Sequence, residues 1–98
     1  MNWLHLVSID QLKNALNESD NTTFAVFKHS TRCSISVMVK NRLERHWNLN
    51  DFPVYYLDLL NYREISNYIA ETLDVHHESP QLLIVKNKQC TWHKSHTD

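Results

Sequence analysis

The 98-residue sequence contains no glycine, only two prolines and only two cysteines. Without glycine, left-handed positions at helix ends and turns must be taken by Asn, Asp or Lys, of which Asn is the best tolerated. The cysteines, Cys33 and Cys90, are too few for a disulfide scaffold and do not form a CxxC pair. A chain of this length predicts a single domain over residues 1–98.

The sequence also lacks a charge bias and a long apolar run. Its formal net charge is -1 with histidine neutral, which gives no electrostatic case for nucleic acid or an anionic membrane as a partner. No apolar run approaches the ~18 residues of a membrane span, and the N-terminus lacks the basic and apolar regions of a signal peptide. We therefore expect a cytoplasmic domain that binds neither membranes nor nucleic acid.

Hydrophobic periodicity predicts three helices and four strands in the order α, β, α, β, α, β, β. The predicted elements are a helix over 8–18, a strand over 24–29, a helix with apolar positions from 35 to 47, a strand from 53, a helix over 62–73, and strands over 81–86 and 90–95. The inner face of the second helix is expected to carry Ile35, Met38, Val39, Leu43 and Trp47, and its outer face Lys40, Arg42, Glu44 and Arg45. A two-residue turn at 87–88 joins the last two strands.

This order of elements predicts an α/β fold with a mixed sheet. The first strand–helix–strand segment implies a parallel pair with a right-handed crossover, and the terminal hairpin adds antiparallel strands. In the thioredoxin arrangement, four such strands have the order 2-1-3-4, and a reactive residue follows the first strand. The element order thus predicts helices packed on a four-stranded mixed sheet, which is compatible with the thioredoxin arrangement.

The segment "KHSTRCSIS" (28–36) places Cys33 where the first predicted strand leads into a helix. The free N–H groups and the positive dipole end of a helix N-terminus favour a thiolate over a thiol, and Arg32 adds a permanent positive charge. A cysteine that only fills space in the core usually has apolar neighbours, whereas Thr31, Arg32 and Ser34 are polar. The pattern favours a reactive cysteine, with a serine three residues later at Ser36.

A second signal lies in "HESP" (77–80), directly before an apolar strand. Pro80 cannot donate to the sheet ladder there, and we predict a cis Ser79–Pro80 bond close to Cys33. His77 stands in the same loop. It is either a surface histidine or part of a groove beside Cys33.

Four segments together resemble the monothiol bacilliredoxins, which are thioredoxin-fold proteins of the bacillithiol system. They are "FKHSTRCSIS", "YYLDL", "ISNYIAETLDVHHESPQLLIVKN" and "WHKSH", and the resemblance covers nearly the whole chain. Two features depart from the family. Ser34 stands where the family usually has proline, and the family's last helix, after the last strand, is missing. An incompletely covered sheet face is therefore expected, with lower stability or a weak homo-oligomeric contact.

The resemblance implies removal of bacillithiol from mixed disulfides on client proteins. Cys33 would be the nucleophile, and Ser36, in the place of a resolving cysteine, cannot close an internal disulfide. The expected partners are bacillithiolated proteins and low-molecular-weight thiols, with bacillithiol as co-substrate and no bound cofactor. The remaining candidate site residues are Thr31, Arg32, Ser34 and Ser36 at the helix N-terminus, and His77, Ser79 and Pro80 for substrate binding.

Two other interpretations are open to the same residues. A redox-silent adaptor could bind extended peptides in the groove around Pro80. Cys90, His93 and His96 have a metal-like spacing, but residues three apart on a strand face opposite sides, so no metal site is expected. Cys90 is also expected at the far end of the sheet from Cys33, beyond disulfide reach.

Overall fold

The computed structural model describes residues 2–47 and 52–95. Its elements are β1 (Trp3–His5), α1 (Ile9–Glu18), β2 (Phe24–His29), α2 (Ser34–His46), β3 (Val54–Asp58), α3 (Arg63–Leu73), β4 (Gln81–Lys86) and β5 (Gln89–Ser95). The predicted order is confirmed for the three helices and for four of the strands, and the residues at which they begin differ from the prediction by at most one. Within the described residues no helix has the length and apolar character that crossing a membrane requires.

The sheet has five strands in the order β1-β3-β2-β4-β5, so the prediction of four strands is wrong. β3 pairs in parallel with both β1 and β2, and β4 pairs antiparallel with β2 and β5. The four predicted strands keep their predicted order. β1 adds an edge strand of only three residues, too short for a periodic pattern, and it depends on pairing with β3, a partner about fifty residues away in the sequence.

The main hydrophobic core lies between the sheet and the helices α1 and α3. Alternate residues of the central strands point to this side, and both helices contribute residues at helical spacing. The buried core members are Leu6, Leu12, Leu16, Phe24, Val26, Leu57, Ile65, Ile69, Leu73, Val75, Leu83 and Val85.

Helix α2 lies on the opposite face of the sheet and is rotated from its predicted orientation. Ile35 and Met38 are 44% and 38% exposed, whereas Ser36 is fully buried and Lys40 is half-buried. The predicted inner face is therefore wrong at Ile35 and Met38, and the predicted outer face is wrong at Lys40. The half-buried apolar residues Val39, Leu43 and Trp47 agree with the prediction. The hydrogen bonds of Ser36, described below, account for the rotation.

The face that carries α2 is partly open beside β5. A cavity of about 300 Å³ lies between α2, the start of β4 and β5, and Val39, Leu43, Leu82 and Trp92 contribute to its lining. Trp92 is 45% exposed. The described residues therefore leave this part of the sheet face uncovered, and the homo-oligomeric contact stays a prediction.

The left-handed positions are taken by the residue types expected of a chain without glycine. Among the described residues they are Asp74 after α3, with φ 54°, and the hairpin residues Asn87 and Lys88, with φ 54° and 60°. Two consecutive left-handed residues form the hairpin turn whose twist matches the flanking strands. Ser19, at the end of α1, holds this turn, because its carbonyl accepts from Asn87 N–H at 2.9 Å and its hydroxyl accepts from Lys88 N–H at 2.7 Å.

We predict that Lys88→Gly stabilises the protein. Glycine has no Cβ to clash at positive φ, and Asn-Gly is the preferred sequence for this turn, so a gain of about 0.5–1 kcal/mol in the free energy of unfolding is expected. The exposed Lys88–Asp20 ion pair at 3.7 Å contributes little to oppose this gain. Urea unfolding measures the change. Lys86→Gly, two residues earlier in β4, is the control and should destabilise; a loss of stability in Lys88→Gly would contradict the prediction.

Candidate active site

Cys33 is the N-cap residue of α2, directly after the turn that follows β2. Its backbone is extended, with φ -105° and ψ 117°, and its side chain makes no capping hydrogen bond. The first N–H groups of a helix have no intrahelical acceptor, and an N-cap side chain is the group placed to accept from them. The first turn of α2 contains no acidic residue that would compete. A thiolate on Cys33 therefore occupies the position in which a helix N-terminus stabilises negative charge.

The residues around Cys33 are open to solvent. Thr31, Arg32 and Ser34 are exposed, and Cys33 itself is half-buried. A turn holds the segment, because Cys33 N–H donates to the carbonyl of Ser30 at 3.2 Å. The cysteine can therefore be reached by a substrate, with a cationic residue next to it in sequence.

Ser36 is the first-turn residue of α2 that ties the helix to the sheet. Its hydroxyl oxygen accepts from Ser30 N–H at 3.1 Å and lies 2.7 Å from Nδ1 of His29, the last residue of β2. Ser36 is fully buried, so its side of both bonds is out of contact with water. They fix which side of α2 faces the sheet, at the expense of the more apolar side chains Ile35 and Met38. The prediction of the apolar face missed the buried Ser36, because that prediction ranked positions by hydrophobicity alone.

His29 is a buried neutral partner for Ser36. Burial lowers the pKa of its imidazole, and the positive charge of Lys40 lowers it further, while Asp58, the hydrogen bond with Ser36 and Glu44 act in the opposite direction. The ring is 3% exposed and stacks on Phe27, with centroids 5.8 Å apart. A buried ring of this kind serves the site as a fixed hydrogen-bonding group.

The loop over residues 76–80 reaches the same end of the sheet as Cys33. Lys28 near the end of β2 pairs with Gln81 at the start of β4, so Pro80 and the turn before Cys33 both lie beyond this edge. The Ser79–Pro80 peptide bond is cis, and Pro80 is buried. Among the described residues the buried hydroxyl of Ser79 has no hydrogen-bond partner. The topology therefore places the two candidate segments at one end of the molecule.

His77 in this loop contacts a buried lysine. Its Nδ1 lies 3.2 Å from Nζ of Lys28 and 3.1 Å from the hydroxyl of Ser66 on α3. Burial lowers the pKa of His77, and so do the charges of Lys28, Arg63 and His76, whereas Glu78 raises it. Sequence reasoning missed Lys28 and Ser66. The signal was the single lysine in the otherwise apolar run "FAVFKH".

Cys90 lies at the other end of the sheet. It pairs with Val85, close to the hairpin turn, and is half-buried, and burial raises the pKa of its thiol. Both cysteines are free. In the described part of the chain no three His, Cys, Asp or Glu side chains form a group that could hold a metal ion; His96 lies outside the described residues.

We predict that Ser36→Ala destabilises the protein by about 1–3 kcal/mol, because it leaves the half-buried Ser30 N–H and the buried His29 ring without their partner. Chemical denaturation followed by circular dichroism measures the loss. The matched control is Ser34→Ala, at an exposed position two residues earlier, with an expected change within about 0.5 kcal/mol. Equal effects of the two substitutions would show that the Ser36 bonds do not hold the helix.

A protein-family model described as "Monothiol bacilliredoxin BrxC" matches residues 4–98 of this chain. The match includes both candidate segments, Cys33 with its flanks and the loop at 76–80.

Solved structures support the fold. One described as a candidate oxidoreductase with a thioredoxin fold is 34% identical, with a TM-score of 0.83, and the match covers 97% of this chain and 83% of that chain. Thioredoxin from Malassezia sympodialis is 17% identical, with a TM-score of 0.75 over 99% of this chain and 81% of that one. Thioredoxin from Trypanosoma brucei brucei is 12% identical, with a TM-score of 0.76 over 97% of this chain and 79% of that one. The last two show the fold alone.

Proposed function

Because the chain belongs to the monothiol bacilliredoxin family, we propose that it removes bacillithiol from mixed disulfides on client proteins. Its family and its thioredoxin fold support a role in thiol redox chemistry. The observation that carries the proposal is the position of Cys33, half-buried at the N-cap of α2, at the end of the sheet that also carries Pro80.

The proposed reaction is two successive thiol–disulfide exchanges. The Cys33 thiolate attacks the bacillithiol sulfur of the mixed disulfide, so that a new sulfur–sulfur bond forms and the old one breaks. The client cysteine leaves as a thiolate and takes a proton from solvent. A second low-molecular-weight thiol then attacks the Cys33–bacillithiol disulfide as its thiolate, which yields the small-molecule disulfide and returns Cys33 as a thiolate. Bacillithiol is a substrate in this scheme, and no resident cofactor is needed.

Two features favour an external resolving thiol. The hydroxyl of Ser36 cannot form a disulfide. Cys90 lies near the opposite end of β4, a six-residue strand of about 20 Å, whereas a disulfide needs Cα atoms within about 7 Å. The monothiol route is therefore the one that this arrangement of residues favours.

The other candidate residues are assigned roles around this chemistry. Arg32 supplies positive charge beside the thiolate, and the exposed Thr31 and Ser34 leave the cysteine open to a protein substrate. Pro80 and Ser79 form the opposite side of the proposed client groove. His77 supports that loop. We propose a cytoplasmic location, in which client proteins and small thiols would be the partners.

We predict that iodoacetamide alkylates Cys33 at least ~10-fold faster than Cys90 at pH 7, because the helix N-terminus favours the Cys33 thiolate while burial raises the pKa of Cys90. Peptide mass spectrometry after timed quenching gives both rates in one sample, so Cys90 is an internal control. Equal rates would argue for the adaptor that binds peptides without redox chemistry.

We predict that Cys33→Ser abolishes release of bacillithiol from a mixed-disulfide client and that Cys90→Ser leaves turnover unchanged. The first substitution removes the nucleophile, and the second removes a thiol at the far end of the sheet. Release is measured by mass spectrometry of the client. Full activity in Cys33→Ser would refute the mechanism, as would a Cys33–Cys90 disulfide in the oxidised native protein.

A further inference from the structure

A row of buried polar side chains crosses three strands beneath the candidate site. Lys28 of β2, Gln81 of β4 and Ser95 of β5 are register neighbours, so their side chains share one face of the sheet. Their exposed fractions are 0%, 1% and 7%. The Gln81 amide donates to the Ser95 hydroxyl at 3.2 Å and to the carbonyl of His76 at 3.1 Å. The row is therefore bonded to the loop that leads into Pro80.

Lys28 is the charged member of this row. Its Nζ lies 3.2 Å from Nδ1 of His77 and donates to the carbonyl of Ser66 at 3.4 Å. The two ion pairs found among the described residues do not include it. Burial lowers the pKa of Lys28 to about 8, so the amine is mostly charged at pH 7 while it lies inside the protein. The proposed reaction does not use this group.

The contact determines how His77 is oriented. An ammonium group can only donate, so Nδ1 of His77 is the acceptor and the ring proton resides on Nε2. The Ser66 hydroxyl lies 3.1 Å from the same nitrogen, so the two donors share its single lone pair. Strand β2 and helix α3 therefore hold one edge of the imidazole. Because His77 belongs to the loop, this contact also restrains the loop backbone.

We propose that Lys28 is a positioning residue of the active site: through His77 it holds the loop over residues 76–80 in the shape that binds the client. Lys28 acts from beneath the loop and touches neither Cys33 nor a substrate. The inference about client binding rests on the proposed function, whereas the inference that Lys28 holds the loop does not.

If Lys28 served only to stabilise the fold, its removal would lower the free energy of unfolding. Burying an ammonium without a carboxylate partner is costly, and a methionine of similar length in its place is often neutral or stabilising. If Lys28 serves the loop, its removal should loosen the loop while the fold as a whole stays as stable or becomes more stable.

The test is Lys28→Met, with Lys86→Met at the exposed end of β4 as the matched control. We expect the thermal midpoint of Lys28→Met to be unchanged or higher and the amide hydrogens of residues 76–79 to exchange faster. KM for the mixed-disulfide client should rise about tenfold, since a hydrogen bond from a charged donor is lost, with kcat within about twofold. The rate of Cys33 alkylation should not change. Lys86→Met should match the wild type in every readout.

A lower thermal midpoint with unchanged loop exchange would overturn the proposal, and so would an unchanged KM. A wild-type protein that does not release bacillithiol would refute the proposed function. It would not refute the inference that Lys28 holds the loop, because hydrogen exchange would still test that inference.

Nitrogen-15 NMR of His77 in the wild-type protein provides a second test, which decides the matter even if Lys28→Met does not fold. We expect the Nε2–H tautomer and titration below the range of a free histidine. In Lys28→Met the titration should move upwards, with Arg63 and His76 still lowering it and Glu78 raising it. A wild-type ring protonated on Nδ1 at neutral pH would overturn the proposal.

Discussion

The hydroxyl of Ser36 is the contact on which the geometry of the site depends. It joins the end of β2 to the first turn of α2 through Ser30 N–H and the ring of His29. A helix is rigid, so a buried hydrogen bond in its first turn sets the rotation of the helix about its axis. That rotation determines the direction of every later side chain. Ser36 faces the sheet, and Cys33, three residues earlier, is left at the N-cap with the free N–H groups of the helix. Ser36, which stands in the place of a resolving cysteine in the proposed mechanism, is thus also the residue that places Cys33.

Lys28 and His29 extend this arrangement to both faces of the sheet. Adjacent residues of a strand point to opposite faces, and here each makes a polar contact with a different side of the candidate groove. His29 contacts α2, which carries the cysteine, while Lys28 contacts His77 in the loop before Pro80. The last two residues of a single strand therefore connect both sides of the groove to the same backbone.

The parts of the fold that the sequence predicted are those set by local chemistry. The helices and four strands followed from periodicity, the turn at Asn87 and Lys88 was predicted, and the left-handed Asp74 is of a residue type that the absence of glycine predicted. The unpredicted parts depend on distant partners. Strand β1 depends on pairing with β3, and the rotation of α2 depends on the contact between a serine and a histidine. The role proposed for Lys28 depends on a loop some fifty residues away. The two candidate segments themselves could be read from sequence, because reactive chemistry at helix starts and proline before a strand are local signals.

The polar groups beneath the site also link its stability to pH. His29 and His77 have lowered pKa values in the folded protein, so the unfolded chain binds protons first. Their contribution to stability is present above the ordinary histidine pKa of 6.5 and is lost as the pH falls through and below it. Lys28, with its pKa lowered to about 8 from 10.5, weakens the fold at pH 8 and below, and this cost disappears as the pH rises towards 10.5. The two imidazoles therefore cease to oppose folding above pH 6.5, whereas the cost of burying the Lys28 ammonium lasts until the pH approaches 10.5. Raising the pH above 8 therefore stabilises the fold while it removes the positive charge that Lys28 presents to His77.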